Sequence, residues 1–580
     1  MNDTITPTPE DAVMSVMDAV RPVHAACPIC GASTTGAELD EAAWLPQAIV
    51  ERLVKKRPSW KRGDGACPTC IHEAVLQALT ESEGASHDGT TSSWPLNVER
   101  EFGALPTPIR LHADGRYTGR GVTLALVDAG FYPHPDLTAP ANRIRAWVDA
   151  AQDPPYSVTF HDGDPVEWPG WDAGASSQWH GLMTSCVAAG AGSLSHGLYR
   201  SLACEAGVVL VQVRDEDGAI TNESIARALR WLGENGPALG VQVVNVSLGG
   251  EEVSPLTGNP VDVAVDDLTA LGMTVVVAAG NDGVRRLVPP ATAPAALTVG
   301  GLDDHDLFDA AQIALWHSNY GQTADGMLKP ELTAPSVWVV APLLPHTDAA
   351  AEALALYQSR TGGDDSAEVE ERIAAESLVS PYYKFVEGTS FASPLVASVA
   401  VCMLQANPSL TPALLRALLI AAARPIPDAL QDRQGAGAVD AGQAVTLALH
   451  ADGGPLAGRP LPPYLDTTGV SFALHDVAAH AVEVVGSWNE WQTPGFAATK
   501  DDKDVWSVTH PPLDPGTYAY RFLIDGERWQ DDPANPRKVP DGYGGFNSVL
   551  IVPEEKAVDG HPVAPPPQPI SLAAAPSRDR

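Results

Sequence analysis

Short apolar runs alternate with amphipathic stretches between about residues 100 and 450. The runs lack strict alternation, which is typical of strands buried on both faces of a sheet. The intervening stretches, such as Glu223–Glu234 and Val261–Leu271, have helical spacing. This repetition predicts an α/β fold: a doubly wound parallel sheet with helices on both sides. The strand candidates are Val122–Val127, Val208–Val213, Val241–Val246 and Thr274–Ala278.

Other patterns flank this α/β block. Two C-x-x-C pairs surround a helix-like segment, Ala42–Lys56, near the start of the chain. Short alternating runs with turn signals follow the block and predict a small β-sandwich. The predicted divisions are a cysteine module at 1–90, a linker at 91–104, the α/β domain at 105–450, a Gly/Pro linker at 451–468, the sandwich at 469–553 and a disordered tail at 554–580.

Charge and composition exclude several classes of function. The 580 residues include 72 acidic and 36 basic side chains, which gives a net charge of -36. That balance argues against a general nucleic-acid binder, and no apolar run is long enough for a membrane span. The N-terminal residues lack the basic and apolar parts of a secretory signal. With an odd number of cysteines, seven, the chain fits a reducing compartment. We therefore expect a cytoplasmic protein, with secretion by another route as the alternative.

Three polar motifs stand at the ends of predicted elements. Asp128 follows the first strand, His180 opens a helix of small residues, and Ser390 in Gly388-Thr389-Ser390 opens an apolar helix. A hydroxyl nucleophile, an imidazole base and a carboxylate that orients the imidazole make up a catalytic triad. Ser390 at a helix start also has backbone N–H groups able to face an oxyanion.

At these motifs the chain resembles the subtilisin-like serine proteases. The resemblance extends to Asn245–Gly250, similar to the family's substrate-aligning strand, and to Ala278-Ala279-Gly280-Asn281. It implies that Asp128 orients His180, that Ser390 attacks, and that Asn281 donates to the oxyanion. It further implies a roomy pocket with a rim carboxylate, Asp282, that attracts basic side chains. The implied pocket residues are Ser247, Leu248, Gly249, Ala279 and Gly280.

The chain departs from that family at Ala129, at Leu182, which stands where the family's His motif usually has Thr, and at an insertion. Ala129 stands where the family usually has Ser or Thr after its aspartate, so we expect Asp128 to lack a supporting hydroxyl. An insertion at 343–384, with an acidic helix-like segment Asp364–Ser377, precedes the nucleophile. It is either a surface decoration or a lid over the cleft. The family often binds structural calcium, but no ligand can be assigned here.

The two cysteine pairs predict a metal site. Cys27 and Cys30, with Cys67 and Cys70, form two C-x-x-C turns separated by 36 residues. Two such turns supply the four thiolates of a tetrahedral site, and structural zinc is the favoured ion. The alternative is two independent redox or free-thiol pairs. The sequence leaves open whether this module docks a partner, regulates the enzyme or assists folding.

The C-terminal block resembles the glycogen-binding modules of branching enzymes and of AMP-activated kinase. Gly486-Ser487-Trp488-Asn489-Glu490-Trp491 and the Asp525-Gly526 turn carry the resemblance. It implies that two indole rings stack on glucose units while a basic side chain and an amide bond the hydroxyls. Alternatively, the tryptophans fill the sandwich core or a contact with the protease domain. The implied sugar-binding residues are Trp491, Arg521, Trp529 and Asn547.

Two functions follow from these motifs. The first is a serine endopeptidase that acts on proteins or peptides and is targeted to an α-glucan such as glycogen. The second is a glycogen-associated scaffold or regulator whose protease domain is silent or autoinhibited. The joint presence of Asp128, His180 and Ser390 favours the first.

Overall fold

The structure is a computed structural model, and not every residue is described. Residues 36–38, 40–41, 43–44, 216 and 544 are among the short gaps. The predicted linker at 91–104 and the predicted tail at 554–580 lie largely outside the described residues. The described ranges are 24–35, 39, 42, 45–86, 103–161, 178–215, 217–253, 258–307, 313–323, 327–362, 366–451, 463–466, 469–501, 504–535, 538–543 and 545–552.

A mainly parallel sheet forms the centre of the largest domain. Its middle strand, Thr123–Asp128, lies between Val241–Val246 and Gly207–Gln212. The four predicted strands are confirmed, two of them shifted by one residue. Apolar side chains on both faces explain the unbroken hydrophobic runs. The strand order is Ala314–Leu315, Leu297–Asp303, Thr274–Ala278, Val241–Val246, Thr123–Asp128, Gly207–Gln212, Ile144–Asp149 and Tyr156–Thr159, with Leu332–Pro335 also paired to Leu297–Asp303.

Helices cover both faces of the sheet, as predicted. One face packs against Asn222–Asn235 and Pro260–Ala270, which match the expected helices to within a residue. The other face holds Gln178–Ala189 and Thr389–Ala406, the helices that carry His180 and Ser390. The remaining helices of this domain are Thr107–Arg110, Pro135–Thr138, Pro412–Ala422, Gln431–Gln434 and Ala441–Leu449.

Helix Thr389–Ala406 is also the one helix in the described ranges with the length and hydropathy of a membrane span. It is 83% buried inside the domain. Its apolar character is therefore explained by packing against the sheet, where a core helix needs hydrophobic residues around most of its circumference.

The cysteine module docks on the α/β domain. Its strands His24–Ala26 and Ser33–Thr35 form a hairpin, and its helices are Gln47–Lys56 and Pro68–Ser86. The helix expected at Ala42–Lys56 begins at Gln47 because Pro46 holds the capping position. Leu53 and Ile71 from this module share one apolar core with Tyr199, Val379 and Tyr383 of the rest of the chain.

The insertion folds as two helices between paired strands. Strands Val339–Pro342 and Tyr383–Val386 pair antiparallel, and helices Asp348–Thr361 and Ala367–Ala375 lie between them in the chain. The acidic segment predicted at Asp364–Ser377 is helical over the shorter range Ala367–Ala375. Residues 364 and 365 lie outside the described residues. The hydroxyl of Tyr383 donates to the buried carboxylate of Asp136, which ties the end of the insertion to the catalytic domain.

The C-terminal block is the expected β-sandwich of two antiparallel sheets. Val470, Phe472, Tyr520 and Phe522 fill the space between the sheets. One sheet contains Tyr464–Asp466, Gly469–His475, Val505–His510 and Thr499–Lys500; the other contains Phe496–Ala497, Val482–Gly486, Gly516–Ile524, Phe546–Val552, Lys538–Pro540 and Arg528–Gln530.

The sandwich packs directly against the α/β domain. Met327 lies buried against Val539 and Val549, and strand Tyr464–Asp466 contacts helix Pro412–Ala422. The Gly/Pro composition of 451–468 predicts a semi-independent module, and these contacts correct that expectation. The burial of the Met327 side chain stabilises the contact between the two domains.

Candidate active site

Asp128 and His180 form a hydrogen-bonded pair at the carboxyl end of the central strand. Nδ1–H of His180 donates to Oδ1 of Asp128 over 2.7 Å. The carboxylate is 1% exposed and the imidazole 23% exposed, so the ring bridges the interior and the cleft. Because Nδ1 carries the proton, Nε2 is available to accept one.

The charge of Asp128 sets the basicity of His180. Burial alone would lower the pKa of the imidazole, but the charge of Asp128 and its hydrogen bond outweigh it. The pKa of His180 is therefore raised from its ordinary value of 6.5. A more basic imidazole accepts the proton of a serine hydroxyl more readily.

Thr184 supports the catalytic carboxylate, which corrects the expectation drawn from Ala129. Its hydroxyl donates to Oδ2 of Asp128 over 2.7 Å, and the backbone N–H of Ala129 donates to Oδ1 over 2.6 Å. Thr184 lies one helical turn after His180, so one helix supplies both partners of the carboxylate. The i, i+4 spacing of His180 and Thr184 is the sequence signal that could have predicted this role, which the sequence motifs missed.

Ser390 lies in the first turn of helix Thr389–Ala406, which packs against the helix that carries His180. The ring of Phe391, the next residue, is 5.8 Å from the His180 ring between centroids. On its other side, His180 meets Trp179 edge-on at 5.2 Å. The Ser390 hydroxyl has no hydrogen-bond partner in the part of the chain that the structure describes, so it can turn toward Nε2 of His180 when substrate binds.

Thr389 fixes the orientation of the Asn281 amide. Its Oδ1 accepts from both the backbone N–H and the hydroxyl of Thr389, over 2.9 and 2.8 Å. These bonds assign Oδ1 as the acceptor and leave the Nδ2–H₂ group as the donor. A Cβ added to Gly388 would lie 3.3 Å from Nδ2 of Asn281 and 3.8 Å from the Ser390 nitrogen. Both donors therefore border one small space that the glycine keeps open.

Thr389 and His317 hold the loop that contains Gly280 and Asn281. The sequence motifs gave no role to either residue. The Thr389 hydroxyl also accepts from the backbone N–H of Gly280 over 3.0 Å. The His317 imidazole lies 3.0 Å from the carbonyl oxygen of Asn281 and donates to it. A Cβ at Gly280 would approach Asn319 to 2.6 Å, and its φ of +102° suits glycine.

Ser247 faces the nucleophile helix. Its hydroxyl donates to the Ser390 carbonyl over 2.8 Å and accepts from Asn245 over 2.8 Å. This buried side chain holds the backbone of Ser390, so its hydroxyl is not available to a substrate; the substrate-binding role of the segment 247–249 stays a prediction. Gly249 is exposed, Leu248 and Gly280 are half-buried, and Ala279 is buried.

Asp282 lies at the surface with partners of its own. Its carboxylate accepts from Nδ2 of Asn319 over 3.2 Å and is 3.8 Å from the guanidinium of Arg286. The positive charge of Arg286 offsets part of the negative charge that Asp282 was predicted to bring to the rim of the pocket. The attraction for basic substrate side chains stays a prediction, and these contacts weaken it.

The four cysteines of the N-terminal module converge. The sulfur atoms of Cys27, Cys30, Cys67 and Cys70 all lie within 4.8 Å of one another. A tetrahedron with metal–sulfur bonds of about 2.3 Å has edges of about 3.8 Å, and Cys30 and Cys67 are 3.7 Å apart. Burial opposes backbone hydrogen bonds from Cys30, Cys67 and Ile29 at Cys27, whose pKa is lowered to about 6. Burial raises the pKa of Cys67 and Cys70, so the fit to a metal rests on the geometry. The donor set therefore fits a thiolate-bound metal.

Trp491 and Trp529 lie together on the outer face of the sandwich. Their ring centroids are 6.2 Å apart in an edge-to-face arrangement, over Val485, Ala519 and Leu523. They do not fill the core between the sheets, which is one alternative the sequence left open. Trp491 is 7% exposed and Trp529 is half-buried. Trp529 is thus the more exposed of the two rings, and Trp491 packs beneath it.

Arg521 and Asn547 share that outer face. Tyr520 pairs with Ser548 across antiparallel strands, so their neighbours Arg521 and Asn547 project from the same side. The guanidinium of Arg521 donates to Asp541 over 2.9 Å and to the Phe546 carbonyl. Asn547 is 2% exposed, and its Oδ1 has no hydrogen-bond partner among the described residues. Its strand neighbour Val539 packs against Met327, so this end of the face meets the protease domain.

Comparison with known families agrees with this geometry. Residues 119–437 match the family described as "Subtilase family". Residues 472–558 match the family described as "Glycogen recognition site of AMP-activated protein kinase". The first match includes the residues of the candidate active site, and the second includes the four candidate sugar-binding residues.

Individual relatives are similar over part of their length. The chain is 30% identical over 337 residues to Serine protease AprX of Bacillus subtilis, an alignment that takes in 57% of this chain and 67% of AprX. It is 30% identical over 223 residues to Subtilisin-like protease 2 of Pseudogymnoascus destructans, covering 38% and 46% of the two chains. A solved structure of the protease domain of PatA aligns with 58% of this chain and 99% of that chain, at 21% identity and a TM-score of 0.39.

Proposed function

Because the chain belongs to the subtilase family, we propose that it is a serine endopeptidase that cleaves peptide bonds with Ser390, His180 and Asp128. The observation that carries this proposal is the 2.7 Å bond from His180 to the buried carboxylate of Asp128, beside the start of the Ser390 helix. That bond fixes the imidazole in the tautomer a general base needs.

In the proposed reaction Ser390 Oγ attacks the carbonyl carbon of the scissile bond. The hydroxyl proton moves to Nε2 of His180, a C–O bond forms, and the carbonyl electron pair moves to oxygen. Nδ2 of Asn281 and the N–H of Ser390 donate to this oxyanion. When the intermediate collapses, the C–N bond breaks and His180 gives its proton to the leaving amine. A water molecule, deprotonated by His180, then hydrolyses the acyl ester and restores Ser390.

Hydrolysis of a protein substrate tests this function. Wild-type protein is expected to cleave casein, and Ser390→Ala is expected to be inactive with an unchanged melting temperature. Ser398→Ala is the matched control, because Ser398 lies further along the same helix, where its hydroxyl donates to the Leu395 carbonyl. Equal cleavage by Ser390→Ala and wild type would remove the assignment. No cleavage by correctly folded wild type would favour a silent protease domain.

We also propose that the C-terminal sandwich binds an α-glucan and brings the protease to it. The outer pair of indole rings supports this, because an apolar ring face suits the face of a glucose unit. Arg521 shares the outer face with the rings and can bond sugar hydroxyls, although it must share its guanidinium with Asp541. Asn547 lies on the same face but is 2% exposed, so its amide is not open to a sugar in this structure.

Co-sedimentation with glycogen tests the glucan proposal. Trp491→Ala combined with Trp529→Ala is expected to abolish sedimentation without changing cleavage of a small peptide. Trp529→Ala by itself should remove most of the binding, since this ring is the more exposed. Val477→Ala, an exposed apolar position elsewhere in the sandwich, is the control. Wild type that stays in the supernatant would make the sandwich a packing domain.

The cysteine cluster is proposed to hold one structural zinc ion. The 3.7 Å separation of Cys30 and Cys67 and the convergence of all four sulfur atoms support this ion. A reducing compartment keeps such thiolates available, and we therefore propose a cytoplasmic location. Cell fractionation tests the location, and recovery of the protein solely outside the cell would contradict it.

A further inference from the structure

A cavity of about 670 Å³ lies where three parts of the chain meet. The cysteine module contributes Ile49 and Arg62, the insertion contributes Tyr357 and Arg360, and the catalytic domain contributes Tyr199 among others. Its size falls within the range of sites that bind small molecules. Asp128, His180, Ser390 and the candidate sugar-binding residues do not line it, so it is separate from both sites described above.

Aromatic rings make up much of the wall. Tyr199 and Tyr357 are buried, with 8% and 3% of their surface exposed. Trp338 is 40% exposed and meets Phe385 edge-on, with ring centroids 5.4 Å apart. Flat apolar surfaces of this kind favour a planar, apolar group. The aromatic residues that line the cavity are Tyr199, Trp338, Tyr357, Tyr382 and Phe385.

Two guanidinium groups add positive charge to this wall. Arg62 comes from the cysteine module, and Arg360 lies over the ring of Tyr357 at 4.3 Å. Burial and the nearby charge of Arg360 lower the pKa of Arg62. The two guanidinium groups therefore repel each other across the cavity wall. Glu370, 3.7 Å from Arg360, is the carboxylate among the residues that line the cavity. Two guanidinium groups and one carboxylate therefore line the cavity, so its wall carries a net positive charge that favours an anion.

Three non-glycine residues around the cavity have left-handed backbone. The φ angles of His196, Trp338 and Ser377 are +52°, +57° and +56°. Such angles are uncommon for side chains of this size, and they concentrate at sites where the surrounding structure holds a functional shape. The three residues belong to separate segments of the chain, and all of them line this one cavity.

We propose that the cavity binds a small aromatic anion, such as an aryl carboxylate or an aryl sulfonate. The aromatic body lies against Trp338, Phe385 and Tyr357, and the anionic group lies between Arg62 and Arg360. Glu370 competes with the ligand for Arg360. The site is thus shared by the cysteine module, the insertion and the catalytic domain, and Phe385 belongs to the strand that leads into Ser390.

Titration of the full-length protein with 8-anilinonaphthalene-1-sulfonate, followed by fluorescence, tests this site. We expect one saturable site per chain. Arg360→Gln should weaken binding about fivefold, and Glu370→Gln should tighten it by a smaller factor, because the two changes act on the same charge in opposite directions. Arg372→Gln is the matched control, since Arg372 pairs with Glu352 and does not line the cavity.

A bulky substitution separates the cavity from other apolar surfaces. Ala374 lines the cavity from an exposed position, so Ala374→Trp places an indole in part of the space and should weaken binding strongly while the melting temperature and far-ultraviolet circular dichroism stay unchanged. Prior reaction of Ser390 with a fluorophosphonate should leave the titration unaltered. Binding that does not saturate, equal affinity in wild type and Arg360→Gln, or full binding by Ala374→Trp would each overturn the proposal.

Discussion

The hydroxyl of Thr184 donates a 2.7 Å hydrogen bond to Oδ2 of Asp128, while His180, one helical turn earlier, donates to Oδ1 of the same carboxylate. Both side chains come from helix Gln178–Ala189, which packs against the helix that carries Ser390. One helix therefore supplies a donor to each oxygen of the Asp128 carboxylate. These two hydrogen bonds fix the direction of the His180 imidazole.

Loss of the Thr184 hydroxyl should slow catalysis without changing substrate affinity. Thr184→Val leaves one oxygen of a buried carboxylate unpaired, and we expect kcat to fall about tenfold. KM should stay the same, because Thr184 is buried and does not reach substrate. Steady-state kinetics on a chromogenic peptide measures both constants. Thr184→Ser should keep near wild-type kcat, and a lower melting temperature with unchanged kcat would show a purely structural role.

The activity should rise with pH through a midpoint above about 6.5. The pKa of His180 is raised, and a protonated imidazole cannot accept the Ser390 proton. The active form therefore predominates above this raised pKa and is lost as pH falls through it.

The measurement is kcat/KM between about pH 5 and 9. Asp128→Asn removes the charge that raises the pKa, so its acidic limb should move to lower pH, at a much lower rate. A wild-type midpoint below the ordinary histidine value, or one unmoved by Asp128→Asn, would contradict this electrostatic account.

Thr389 should act on catalysis through Asn281. Its hydroxyl bonds both Oδ1 of Asn281 and the N–H of Gly280, so Thr389→Val frees the amide to turn away from the oxyanion. We expect kcat to fall about tenfold, and by about 10²–10³-fold in Asn281→Ala.

A double-mutant cycle distinguishes this role from simple destabilisation. If Thr389 positions Asn281, adding Thr389→Val to Asn281→Ala should cost little more. Fully multiplicative losses would show that the two residues act independently. Thr389→Ser, which keeps the hydroxyl, should retain most of the activity.

Metal analysis of the full-length protein should find about one zinc ion per chain. Cys27→Ser with Cys30→Ser should lose that ion and lower the melting temperature, because half of the thiolate set is removed. Cys204→Ser is the matched control, since Cys204 lies outside the cluster. Folded wild type without metal, or a double variant that keeps a full equivalent, would favour independent thiol pairs.

Much of the catalytic domain could be predicted from the sequence because its strands are buried on both faces. Val241–Val246 and Thr274–Ala278 are found where the apolar runs place them. Asp128, His180 and Ser390 stand at ends of such elements, so their convergence follows from the parallel topology.

Other features depend on tertiary contacts that no local pattern contains. Ala129 suggested an unsupported carboxylate, yet the hydroxyl comes from Thr184, 56 residues from Asp128 along the chain. Met327 contacts Val539 and Val549 and so joins two domains. The Gly/Pro composition of the segment between these domains predicted a semi-independent module instead. The cavity between Arg62 and Arg360 exists because the insertion and the cysteine module pack together.

Labelling with a serine-directed fluorophosphonate tests the central claim, that Ser390 is a nucleophile activated by His180. The account predicts one adduct per chain, located on Ser390 by peptide mass mapping. The adduct should be absent from Ser390→Ala and form far more slowly in His180→Ala, with both variants folded. A wild-type protein that is folded and unlabelled, or one whose adduct lies on another residue, would contradict the account.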